Sequence, residues 1–188
     1  MSINKELKAI TGKYVEDYKT ICNRSREERI KQLRPGEPIP KESTLYGDRA
    51  KADFKELADS HRAKANEILE RELKAVNDKL TEAPSTEAVN SMQLLKMRDR
   101  VTLDEINGLM IRYGDNNQIY DTLKDVARQH GINEYAFDRN PLRVRAEMLS
   151  DLQHNINSSL TVNKAERGYA TEAFISLINA SIDDACPE

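Results

Sequence analysis

One stretch decides the fold of this chain: residues 48–82 read DRAKADFKELADSHRAKANEILERELKAVNDKLTE. The stretch contains no Gly and no Pro, and its apolar residues recur at spacings of three and four, the pattern of an amphipathic helix. At a rise of 1.5 Å per residue, such a helix extends about 50 Å, longer than a compact domain of this size is wide. We therefore expect a partner helix, from this chain or another, along most of its length.

The apolar stripe of this long helix is the predicted interaction surface, and we call it the long-helix stripe. Its 11-residue spacing is typical of a nearly straight helix. Its members are Phe54, Leu57, His61, Ile68, Leu73 and Val76. Two interpretations stay open at this point. The stripe contacts a second copy or another structural protein, or the chain's own helices cover it.

The segments on either side of the long helix are also predicted to be helical. Ser2 is placed to cap a first helix, and three prolines in six residues follow that helix and favour an extended connector. After the long helix, capping residues mark about five shorter helices. We predict an all-α helical bundle with an N-terminal helical arm (1–34), a Pro-containing linker (35–47) and a helical domain (48–188).

Several helix ends are predicted from local chemistry. Thr102 and Glu105 have the spacing of a capping box, and Asn140 stands before a proline that suits a first helical turn. Gly114 is expected to end one helix in the left-handed conformation. Residues 130–132, His-Gly-Ile, indicate a second C-terminal stop, with the isoleucine folding back onto the helix.

Composition narrows the classes of function. The 188 residues carry a net charge of −3, which argues against bulk affinity for nucleic acid. The chain has no apolar run that approaches a membrane span and no export signal at its start. Its two cysteines do not form a disulfide framework. These features predict reduced thiols and a place in the cytoplasm.

A search for catalytic and metal-binding patterns gives little. No nucleophile elbow, phosphate-binding glycine loop or Cys–His pair stands out. Asp151 and His154 share a predicted helix face with Glu147, but a di-metal bundle needs two such pairs. We expect no catalytic residue, no metal and no cofactor. An enzyme that uses the carboxylates around Asp151 and His154 is the third-ranked hypothesis.

A DNA-binding regulator is the main alternative to an assembly protein. Residues 102–131 form two predicted helices joined at a glycine, a spacing compatible with a helix-turn-helix. Its possible nucleic-acid contacts are Asn116, Asn117, Gln118, Arg139, Arg143 and Arg145. The two aspartates near the start of the second helix would repel phosphates, so a packing hairpin is favoured.

The chain resembles the small helical structural proteins of tailed phages and prophages. The resemblance rests on a charged first helix, a Pro-rich hinge, a long amphipathic helix and residues 111–131, IRYGDNNQIYDTLKDVARQHG. The resemblance implies a scaffolding or virion-accessory role in assembly, without chemistry of its own. It also implies self-association, or binding to another structural protein, in the bacterial host cytoplasm or the virion. The resemblance does not assign a function to any individual residue of this chain.

Overall fold

A computed structural model describes residues 2–39, 47–133, 140–166 and 172–187. Within these ranges the chain forms eight α-helices and no strand. The helices are α1 (Ile3–Lys31), α2 (Asp48–Leu80), α3 (Thr86–Lys96), α4 (Leu103–Tyr113), α5 (Asn117–Gln129), α6 (Pro141–Ser159), α7 (Val162–Glu166) and α8 (Glu172–Ala185). The all-α class is confirmed, and so is the long helix, since α2 runs for 33 residues.

The chain divides into two compact units. Unit 1 comprises Met1–Arg71 and Leu149–Glu188, and unit 2 comprises Glu72–Met148. This division differs from the predicted one, in which residues 1–34 form a separate arm. The first helix belongs instead to unit 1, together with the first part of α2 and the end of the chain.

In unit 1, α1 covers the first part of the long-helix stripe. The ring of Tyr18 stacks on that of Phe54, with centroids 5.5 Å apart, and Tyr14 meets His61 edge to face at 5.6 Å. Phe54 is fully buried, and Tyr14 is 1% exposed. Aromatic side chains bury more apolar area than any others, so these two pairs supply much of the packing between α1 and α2.

Polar contacts join α1 to α8 in the same unit. The Asn4 side-chain amide donates hydrogen bonds to Asp183 Oδ1 at 2.8 Å and to the carbonyl oxygen of Cys186 at 2.9 Å. The Thr11 hydroxyl donates to Asn179 Oδ1 at 2.7 Å. Asn4 and Thr11 are both buried, and buried polar groups cost free energy unless they are hydrogen-bonded. These contacts explain why α1 is not an independent arm.

In unit 2, α3 and α4 both pack against α5. The inward faces of these helices and of the α3–α4 loop form one apolar cluster. Its buried members are Ala88, Met92, Leu95, Val101, Ile106, Ile119, Leu123, Val126 and Ala127. Because two 11-residue helices use their inner faces on α5, their outer faces are left without cover from this cluster.

The helix ends of unit 2 test the local predictions. The capping box is confirmed, since Thr102 and Glu105 exchange side-chain-to-backbone hydrogen bonds. Gly131 has a φ of 67°, and Ile132 N–H donates to the carbonyl oxygen of Ala127 at 2.9 Å, as the predicted stop requires. The prediction for Gly114 is wrong: its φ is −68°, and a Cβ there would clash with the backbone of the preceding turn.

Phe54→Ala tests the packing of α1 on α2. We expect it to lower the free energy of unfolding by about 3–5 kcal/mol, because it leaves a cavity where a buried ring stood. Lys55→Ala, an exposed neighbour on the same helix, should change that free energy by no more than about 0.5 kcal/mol. Urea denaturation followed by far-UV circular dichroism measures both. Equal losses in the two variants would contradict this account of the core.

Candidate functional site

The long-helix stripe is largely a core element of this chain. Phe54, Leu57, His61 and Val76 are buried, with exposed fractions between 0% and 6%, while Ile68 and Leu73 are half-buried. A buried side chain offers no area to a second molecule. These four residues therefore do not form the exposed interaction surface that the sequence predicted, and the alternative of cover by the chain's own helices describes them.

His61 is held within this core as a neutral imidazole. Its Nδ1 lies 3.0 Å from the carbonyl oxygen of Leu57, so the tautomer with its proton on Nδ1 donates a hydrogen bond there. Its buried Nε2 lies 3.5 Å from Asp17 Oδ2 and has no hydrogen-bond partner among the described residues. Burial lowers the pKa of His61 below its ordinary value of 6.5, and this outweighs the opposing influences of the hydrogen bond to Leu57 and of the Asp17 charge.

The amides predicted to read DNA are mostly engaged with their own chain. The side chain of Asn116 accepts the N–H three residues later at 3.1 Å and donates to the carbonyl oxygen of Glu82. Asn117 Oδ1 accepts a hydrogen bond from Arg143 Nε at 2.8 Å. Gln118 is exposed. Two of the three amides thus stabilise helix ends and loops.

Two of the arginines that were predicted to contact nucleic acid have acidic partners within the chain. Arg143 Nη2 lies 3.0 Å from Asp121 Oδ1, at the start of α5. Arg145 Nη2 lies 4.0 Å from Glu72 Oε2. The third, Arg139, lies outside the described residues. Positive charge at the start of α6 opposes the helix dipole, and these carboxylates compensate for it.

Exposed apolar side chains concentrate on α3 and α4. Leu94 is 64% exposed, Met97 is 81% exposed and Ile111 is 84% exposed. Leu94 on α3 and Met97, the residue that caps the end of α3, are one turn apart, and Ile111 lies on α4. Single exposed apolar residues are common, but a group of them on adjacent helices marks a contact surface.

A groove runs between α3 and α4 beside these side chains. It has a volume of about 360 Å³ and is lined by Ser91, Leu94, Leu95, Arg98, Glu105, Gly108, Leu109 and Arg112. The groove is open at Gly108, which has no side chain, and a Cβ built at that position would have no other atom within 4 Å. The fold therefore gives no packing reason for a glycine here, although glycine costs a helix about 1 kcal/mol relative to alanine.

Two ion pairs close the ends of the groove. Arg98 pairs with Glu105 at one end, and Arg112 Nη1 lies 4.0 Å from Glu87 Oε1 at the other. All four side chains are at least 37% exposed. We define the α3–α4 face as the groove together with Leu94, Met97, Ile111 and Glu87.

A second cavity flanks α4 on its other side. Its volume is about 300 Å³, and its lining includes Met110, Ile111, Tyr120 and Pro141. Ile111 therefore projects between two hollows of unit 2. A protruding apolar side chain beside open hollows is a shape that complements another protein surface, since interface cores consist of such side chains seated in such hollows.

The described residues contain no arrangement for catalysis that is comparable with the α3–α4 face. Within the described ranges, no three His, Cys, Asp or Glu side chains come together as metal ligands, and none of the helices there is long and apolar enough to cross a membrane. Asp151 and His154 are both exposed on α6. The α3–α4 face offers apolar area framed by paired charges, which suits binding.

The α3–α4 face is not evident from the sequence, because hydrophobic periodicity indicates which residues of a helix face inward and not which ones stay exposed. Val89 of α3 is 36% exposed, and its neighbour Ala88 takes the inward position. The available signal was the surplus of large apolar residues, Leu94 and Met97, that no inner face could accommodate.

No family model, curated protein or solved structure matches the chain.

The burial of His61 predicts a pH dependence of stability. As the pH falls through about 6.5, the unfolded chain takes up a proton on His61 that the folded chain does not, because its folded pKa is lower. This contribution to stability is complete above pH 6.5 and is lost progressively below it. We expect His61→Gln to flatten the decline of the urea midpoint between pH 7 and pH 5.

His154→Gln is the matched control, since His154 is exposed on α6. It should retain the decline of the parent chain. A His61→Gln variant that keeps the full decline would show that other groups cause it.

Proposed function

We propose that this protein is a non-enzymatic helical assembly protein that binds another protein through its α3–α4 face. The observation that carries the proposal is the exposure of Leu94, Met97 and Ile111 beside an open groove. Clustered apolar side chains with a charged rim have the composition of the core and rim of a protein–protein interface. The proposed interaction surface thus lies on the outer faces of α3 and α4 and not on the long-helix stripe.

The energetics favour a specific but modest contact. Full burial of an exposed Leu, Ile or Met side chain contributes about 1.5–3 kcal/mol. Three such side chains must offset the loss of translational and rotational freedom, which costs at least about 4 kcal/mol. A groove between two helices accommodates the apolar side of a partner helix, so we infer a helical partner.

The electrostatics of the face favour protein over nucleic acid. Its four charged side chains, two Arg and two Glu, sum to zero and are paired with each other. Nucleic-acid binding draws most of its affinity from unpaired cations that neutralise phosphates. The DNA-binding alternative also loses Asn116 and Asn117, which bond within the chain. The phage or prophage setting implied by the resemblance stays a prediction.

Photo-crosslinking tests the proposed function. A photo-reactive phenylalanine analogue replaces Leu94 in one variant and Leu177 in another, and both chains are expressed in the cells that make the native protein. The two positions match in exposure, at 64% and 67%, but Leu177 lies on α8 in unit 1. We expect discrete protein adducts from position 94 only, identified by mass spectrometry and including any adduct with the chain itself.

Equal adduct patterns at the two positions would count against the α3–α4 face as the interaction site. A nucleic-acid adduct from the same reagent at Gln118, with none at Leu94, would favour the DNA-binding alternative.

A further inference from the structure

We propose that the partner of the α3–α4 face is the same face of a second copy of this chain, related to the first by a two-fold axis. This inference rests on the proposed function, because it uses the same surface, and it adds the identity of the partner. Three observations carry it: the distribution of charge around the face, the exposed apolar side chains of the face, and the open position at Gly108.

The four charges of the face alternate in sign. Arg98, after the end of α3, pairs with Glu105 at the start of α4. Arg112, at the end of α4, lies 4.0 Å from Glu87 at the start of α3. The two helices are therefore antiparallel, and each has a glutamate near its start and an arginine near its end. Going round the four corners of the face, the signs read plus, minus, plus, minus.

An alternating square of charges is complementary to itself. A two-fold axis that runs along the helices places Arg98 opposite Glu105 of the second copy and Arg112 opposite its Glu87. An axis across the helices pairs Arg98 with Glu87 and Arg112 with Glu105. An axis along a diagonal would bring like charges together. Two-fold contacts require a self-complementary patch, and this pattern supplies one while excluding the crossed arrangement.

Of the exposed apolar side chains, Leu94 lines the groove that this square of charges frames, whereas Met97 and Ile111 lie outside the lining of the groove. When two such faces meet, Leu94 of each copy lies between the charged corners, and the exposed Met97 and Ile111 add apolar area beside the groove. Burial of these side chains gives affinity, and the charged corners give orientation. Gly108 leaves the groove open for a side chain of the second copy. The fold itself has no use for this open position.

The size of the face sets the strength of the contact. Each of the two helices has 11 residues and is about 16 Å long, so the face is smaller than the roughly 800 Å² per partner of a standard interface. We therefore expect a reversible dimer with a dissociation constant of about 10–500 µM, the range of weak and transient contacts.

Sedimentation velocity across about 1–1,000 µM chain is the first test, a span set by the expected weak affinity. The weight-average mass should rise from 21.4 kDa toward twice that value. Leu94→Asp and Ile111→Asp should each hold the chain at the monomer mass. Leu177→Asp, at a matched exposure on α8, should dimerise like the parent chain. Circular dichroism confirms that each variant retains its helix content.

Two further variants separate the proposed geometry from general stickiness. Arg112→Glu places two negative charges at one end of the face and should weaken dimerisation about tenfold or more, whereas Arg128→Glu on α5 should not. Gly108→Gln fills the groove with a polar side chain on an exposed helix position, and Gly12→Gln makes the same change on α1. Of these two glycine substitutions, only Gly108→Gln should abolish the dimer.

A chain that stays monomeric throughout would overturn the inference, and so would a dimer that is indifferent to Leu94→Asp and Gly108→Gln. The two proposals fail separately. A monomer whose position 94 crosslinks to a different protein rejects self-docking and keeps the interaction function. A monomer without protein adducts at position 94 rejects both.

Discussion

The burial of the first part of the long-helix stripe by α1 is the interaction on which unit 1 depends. A helix of 33 residues with apolar side chains along one side needs cover, and α1 supplies it around Phe54 and His61. The contacts of Tyr18 with Phe54 and of Tyr14 with His61 connect the two. The polar contacts of α1 with α8 then fix the end of the chain to the same unit.

This internal cover changes where an interaction surface is to be found. With Phe54, Leu57 and His61 in the core, the exposed apolar residues of unit 2 become the leading feature. The charges that frame them have a simple origin. Acidic residues stabilise the start of a helix and basic residues its end, so two antiparallel helices built in this way carry charges that alternate around their common face. A helix-stabilising pattern thereby becomes a self-complementary one.

The accuracy of the sequence predictions follows the range of the interactions involved. The capping box at Thr102 and Glu105 and the stop at Gly131 were predicted because they depend on residues within one turn. Gly114 was predicted to be left-handed, but its backbone is right-handed. The glycine is needed there because a Cβ would clash with the carbonyl oxygen of Met110. The arginines at the start of α6 oppose the helix dipole and therefore need negative partners. Which carboxylates would serve depends on the approach of distant segments.

The sequence by itself determined the all-α class, the length of α2 and most helix ends, because periodicity and capping are properties of neighbouring residues. Only the tertiary structure decided that α1 packs within unit 1, since no local pattern encodes its contacts with Phe54 or Asp183. It also decided which apolar residues stay outside. Leu57 and Leu94 are alike in a sequence, and what separates them is that another helix covers the first, while the second borders an open groove.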